Sequence, residues 1–208
     1  MEVPAFFASY ENGNLSASDG IFGAVAPKRG NRFMDLGSAV SSSFQGGARH
    51  PVMVIDCNSF ERRDFSEKVM KNLKLPSAEI WFMTYIETVD DVFDSFNKDA
   101  ELVFAPYHFI DGDAELKDIN DVSDSVVPVI FVHKGRGVLQ DGKKDDVVRI
   151  LEKLVSLGFY KNSVMDAGGG LDARTWEIIA DDYPSTIPIV SGPDAPPGFE
   201  STVIPYLL

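Results

Sequence analysis

Eight short apolar runs, separated by segments of helical period, constrain this chain more than any other feature. They are VPAFFAS (3–9), PVMVIDC (51–57), EIWFMTYI (79–86), ELVFAP (101–106), VVPVIFVH (126–133), SVMDA (163–167), IPIVS (187–191) and, as the eighth, VIPYL (203–207). Most are near-continuous rather than alternating, which is the pattern of strands covered on both faces, as in a parallel sheet. Between them lie helical patterns: FSEKVMKNL, TVDDVFDSF, DAELKDINDV, KDDVVRILEKLVSLG and LDARTWEIIADDY. In the fourth, Val147, Ile150, Leu151, Leu154 and Val155 form one stripe, acids sit in the first turn, and Gly158 supplies the stop. Leu171, Trp176, Ile179 and Ala180 give the fifth its apolar side, which reads as core packing.

Strand and helix in alternation predict right-handed βαβ units and an α/β fold. At about 25 residues per unit, eight units need roughly 200 residues, and the chain has 208. A compact, imperfect (βα)8 TIM-like barrel is therefore the expected architecture, with an open doubly wound parallel sheet as the alternative. The chain reads as one α/β domain over 1–208. Residues 10–50 break the pattern: they are rich in Gly, Ser and Asn, hold one helical pattern in RFMDLGSAVSSSF, and read as a long loop or an irregular first βα unit. Near the end, Pro193, Pro196 and Pro197 forbid a regular helix after the seventh run, so barrel closure is expected to be incomplete, or the tail to cover a neighbour in a homo-oligomer.

The formal net charge of -13 argues against a nucleic-acid or anionic-membrane partner, since those surfaces require a basic footprint. One cysteine, Cys57, excludes an internal disulfide and a multi-cysteine metal site. The N-terminus carries no secretory pattern and no run approaches the roughly 18 apolar residues of a membrane span. A cytoplasmic protein with no cofactor is the expectation.

Both architectures place ligands at the carboxyl ends of strands. That puts Asp56 with Cys57, Glu87, Tyr107 with His108, His133 with Lys134 and Arg136, Asp166 with the glycines after it, and Ser191 with Gly192 on one candidate face. In DAGGGLDARTW, Gly168, Gly169 and Gly170 precede a helix N-terminus. Such backbone binds a phosphate or carboxylate, or serves as a βα corner with Asp172 capping the helix. The spacing matches neither G-x-G-x-x-G nor the Walker pattern. In VHKGRG, His133, Lys134 and Arg136 put positive charge on a glycine-flexed loop, which suits an anionic ligand or a solvated hairpin. KRGNR (28–32) is a second basic cluster.

Asp56 and Asp166, facing one another across a barrel mouth, would serve as a general acid/base pair; as loop caps they would do no chemistry. Lys134 would form a Schiff base if desolvated. His108 and His133 with Glu87 or Asp166 have no diagnostic metal spacing, and His50 and Cys57 read as structural. The Asp closing VMVIDC, the Asp closing SVMD and the glycines after it are similar to the phosphate-binding barrels of histidine biosynthesis, the phosphoribosyl isomerase and cyclase group. That resemblance implies paired strand-end acids and glycine loops gripping substrate phosphates, at Asp56, Asp166, Gly168, Gly169 and Gly170, and at Ser191 with Gly192. The group's opening acidic motif and doubled phosphate-loop signatures are absent, and the chain is shorter. The expected function is thus an acid/base isomerase or lyase acting on a phosphorylated or carboxylated small molecule. A Schiff-base lyase using Lys134 and a non-catalytic barrel-derived binding or regulatory protein are the alternatives.

Overall fold

The computed structural model describes residues 1–43, 49–96, 100–192 and 195–208; Pro193 lies outside them. All eight apolar runs are strands: β1 (Glu2–Glu11), β4 (His50–Asp56), β5 (Ala78–Met83), β6 (Ala100–Pro106), β7 (Val126–His133), β10 (Asn162–Asp166), β11 (Thr186–Val190) and β12 (Thr202–Pro205). They pair in the order β12, β1, β4, β5, β6, β7, β10, β11 and back to β12, every pairing parallel. The result is a closed eight-stranded barrel, so the open-sheet alternative falls. Closure is complete where the prolines suggested a gap. β12 pairs with β1 over Glu2–Ala5 and meets β11 at Ile189 and Val203, although among the described residues no helix lies between β11 and β12.

Parity along the strands assigns the faces. Val3, Ala5, Phe7, Met53, Ile55, Trp81, Met83, Phe104, Val129, Phe131, Met165 and Ile189 fill the interior. Their neighbours Val52, Val54, Val103, Ile130 and Val164 point outward under the helices. Strands buried on both faces have no reason to alternate, which explains the near-continuous runs. Bulky side chains fill the interior as a packed core rather than a pore.

The helices are α1 (Leu36–Ser43), α2 (Cys57–Arg62), α3 (Glu67–Asn72), α4 (Val89–Phe96), α5 (Gly112–Val122), α6 (Val147–Ser156) and α7 (Ala173–Asp182). The stripe on α6 is buried as its spacing requires, through Val147, Ile150, Leu151 and Leu154, and Asp146 caps it. Among the described residues, no helix is long and apolar enough to cross a membrane.

The described residues between 10 and 50 form an irregular first βα unit; 44–48 lie outside them. β1 continues past the rim and turns at Asn12 and Gly13, both with positive φ, into β2 (Asn14–Ile21); β3 (Lys28–Asp35) follows, and α1 leads back. A second hairpin tops β7: β8 (Arg136–Val138) returns antiparallel through Lys134 and Gly135, φ 54° and 75°, and then pairs β9 (Lys144–Asp145). Two successive positive φ values mark a tight hairpin turn, for which glycine at the second position is well suited.

Candidate functional site

Asp56 and Asp166 end their strands as expected but do not face one another across the mouth. Val54 and Val164 point outward while Ile55 and Met165 point inward, so both acids lie on the outer face of the sheet. Asp56 is fully buried; it accepts from Ser59 N–H at 3.2 Å, Ser59 Oγ–H at 2.6 Å and Thr84 Oγ1–H at 3.4 Å, and so caps α2. Burial pushes its carboxyl up to about 6 against the pull of those bonds. Asp166 accepts from Gly170 N–H and Leu171 N–H, each at 2.8 Å.

Two amides of the glycine stretch, those of Gly170 and Leu171, thus already hold a carboxylate of the protein itself. Asp172 takes the Thr175 amide of α7 at 2.7 Å. Gly169 turns the chain at φ 60°, and Gly170 stacks on Gly135. A Cβ on Gly170 would lie 2.7 Å from the Gly135 nitrogen, and one on Gly135 would lie 2.8 Å from the Gly170 carbonyl oxygen. The two glycine-rich stretches singled out in the sequence therefore meet, and their glycines permit that close approach. Asp166→Ala is expected to lower stability by about 1–2 kcal/mol, because two amides lose a charged acceptor while water reaches part of the loop. Urea unfolding checks this, and an unchanged midpoint would contradict it.

The other candidates are dispersed. Lys134 is exposed in its hairpin turn and so lacks the desolvation a Schiff-base lysine needs. Arg136 is exposed and sits 3.8 Å from Asp145. His133 is half-buried and pairs with Arg136 across the hairpin. Arg29 of the second basic cluster pairs with Glu11 and Glu61, tying the hairpin to β1 and α2. Tyr107 is buried, its hydroxyl 3.2 Å from Lys153. Cys57 is buried, and burial together with the Asp56 charge pushes its thiol up, away from nucleophilic use. Glu87 is exposed, and among the described residues no group of three or more His, Cys, Asp or Glu converges as a metal site. His50 opens β4, half-buried.

The structure does bring Asp166, Gly169, Ser191 and Gly192 to one place. They border a cleft of about 610 Å³ at the carboxyl ends of β10 and β11. Its walls are Leu171 just before α7, Ala173, Trp176 and Glu177 from the start of α7, Ala167 and Val190 from the strand ends, and Ala195, Pro196 and Pro197 from the stretch ahead of β12. Trp176 packs edge-on against Phe199, ring centroids 5.7 Å apart. The apolar side of α7 thus does two things, packing the core through Ile179 and walling the cleft through Trp176 and Leu171. Prolines that forbid a helix leave the space that one would fill. Among the described lining residues there is no Lys, Arg or His, and Glu177 is exposed without an ion pair.

No family model matches the chain, and no curated protein matches it.

Proposed function

We infer that this barrel binds a small organic ligand in the cleft between β10, β11 and α7, as a binding or regulatory protein. The observation that carries this reading is the cleft itself: a concave, mostly apolar space of ligand size with a few polar groups, placed where barrels of this type hold ligands. Its chemistry favours an apolar body ending in a hydrogen-bond donor or a cation, since Glu177 and the Ser191 hydroxyl offer acceptors and, among the described lining residues, no side chain offers positive charge.

The acid/base isomerase or lyase reading ranks behind it. Asp56 and Asp166 are both occupied as caps on the outer face of the sheet, and Lys134 stands in solvent. An anionic substrate would meet Glu177 rather than a cation.

Thermal stabilisation by matched aryl-alkyl amines, alcohols, carboxylates and phosphates tests the assignment. The amines and alcohols are expected to raise the melting temperature. Glu177→Lys should weaken amine binding about three- to ten-fold and improve carboxylate binding, the scale of one solvent-exposed charge interaction plus its reversal. Selective stabilisation by phosphates, retained in Glu177→Lys, would return the anionic-substrate reading to the front.

A further inference from the structure

The barrel mouth is roofed by the chain's own residues 22–27, which join β2 to β3. Phe22 is buried and belongs to the interior cluster, its ring centroid 5.3 Å from that of Phe7. Phe60, Tyr85 and Phe131 belong to the same cluster, with Phe109 packed against it. Phe109 is the hub: its centroid lies 4.7 Å from Tyr85, 6.2 Å from Phe60 and 4.0 Å from His108, which in turn lies 4.7 Å from Phe131. Beneath the roof, then, aromatic rings line the space where a barrel enzyme keeps its chemistry.

Two observations separate this roof from ordinary packing. Its attachment is slight. Among the described residues, the one hydrogen bond holding 22–27 runs from His108 Nε2–H to the Val25 carbonyl, 2.8 Å, while Val25 itself is 53% exposed. Few hydrogen bonds are a mark of a segment that opens at low cost. The second observation is an orphan. Because a carbonyl only accepts, Nε2 carries the proton of the neutral ring and Nδ1 is left an acceptor. That atom is buried, with no partner among the described residues. A buried acceptor without a donor is uncommon and asks for an explanation.

We propose that residues 22–27 are a lid and that the barrel mouth beneath is a second ligand site, for a flat, uncharged heteroaromatic ring bearing one hydrogen-bond donor. With the lid lifted, Phe22 leaves the cluster and vacates the space beside Phe7. A planar ring entering there stacks among Phe60, Tyr85, Phe109 and Phe131, and its N–H or O–H donates to the acceptor nitrogen that the neutral His108 ring keeps in either tautomer. Rings on several sides suit a flat, uncharged ligand, since moving an ionised group from water against aromatic faces is costly. The lid must open first, so the closed population lowers the apparent affinity of the wild-type chain. This site is separate from the cleft beside α7 and does not depend on it.

Indole is the probe, and 1-methylindole, the same ring without its donor, is the control. Calorimetry on the full chain should show Phe22→Ala binding indole about ten-fold more tightly than the wild type, because the variant lid no longer competes for the mouth. That variant should prefer indole to 1-methylindole about ten-fold, the worth of one otherwise unmet buried hydrogen bond. Adding His108→Phe should erase the preference, and adding Glu177→Lys in the cleft should leave both effects intact. Phe22→Leu serves where Phe22→Ala fails to fold. Hydrogen exchange of the wild type should show the amides of 22–26 exchanging well before those of β4. A folded Phe22 variant with no gain for indole, equal binding of both probes, loss of binding in Glu177→Lys, or amides in 22–26 protected like those of β4 would each overturn the proposal.

Discussion

Asp56→Asn gains stability relative to the wild-type chain as pH rises, by about 2 kcal/mol between about pH 4.5 and about pH 7. The carboxyl is fully buried at the outer end of β4, and burial lifts it from 3.8 to about 6 although Ser59 and Thr84 donate to it. Below the unfolded value the group is protonated in both states and imposes no penalty. As pH rises toward 6 the unfolded chain ionises while the folded chain stays protonated, so folding loses free energy. Above 6 the loss levels off at about 3 kcal/mol, two pH units and a fraction at about 1.4 kcal/mol each. Asparagine does not titrate; its altered cap adds an offset that is the same at every pH. Urea unfolding of both chains across this window separates slope from offset, and parallel profiles would show that Asp56 is ionised in the native chain throughout.

The barrel was readable because its strands obey one rule. Each lies between a packed interior and a helix layer, so each is written in aliphatic and aromatic residues on both faces, and its polar ends mark the rims. Asp56 and Asp166 show where that reading stops. A sequence places an acid at a strand end, but parity against the interior decides whether it faces the mouth, and a slip of one position reverses it. Counting inward from Ile55 and Met165 would have turned both acids outward. The cleft was half legible: Asp166, Gly169, Ser191 and Gly192 were on the candidate face, whereas Trp176 and Leu171 looked like core because an apolar helix stripe is the same whether it meets a sheet or an opening. The hairpin β2–β3 was missed because its strands, NLSASDGI and KRGNRFMD, bury little and hence lack the apolar signature. The short helix α2 was missed likewise, since CNSFER is fixed by its Asp56 cap rather than by any stripe. Phe22, Phe60 and Phe109 carried no signal at all, for their convergence depends on three separate strand-end loops.

His108→Phe produces the opposite slope. The imidazole is largely buried and burial drives it down to about 4, with the Val25 carbonyl opposing that shift. A depressed histidine contributes stability that is fully present above its unfolded value of about 6.5 and is lost as pH falls toward 4, because the unfolded chain takes up the proton first. Phenylalanine keeps the ring contacts with Phe109 and Phe131 and abolishes the titration. The variant should start about 1 kcal/mol less stable at neutral pH, the worth of the Val25 hydrogen bond, and recover about 2 kcal/mol relative to wild type by about pH 4.5. Over this window Asp56 favours the folded state as the medium becomes acidic and His108 disfavours it by a similar amount, so in the wild type the two contributions nearly cancel. Each single variant uncovers the other group: Asp56→Asn becomes acid-sensitive and His108→Phe acid-tolerant. The double variant should return to the wild-type slope if the two groups act independently. A double variant whose slope departs from the sum of the singles would mean that the cap beneath α2 and the roof over the mouth share one electrostatic environment.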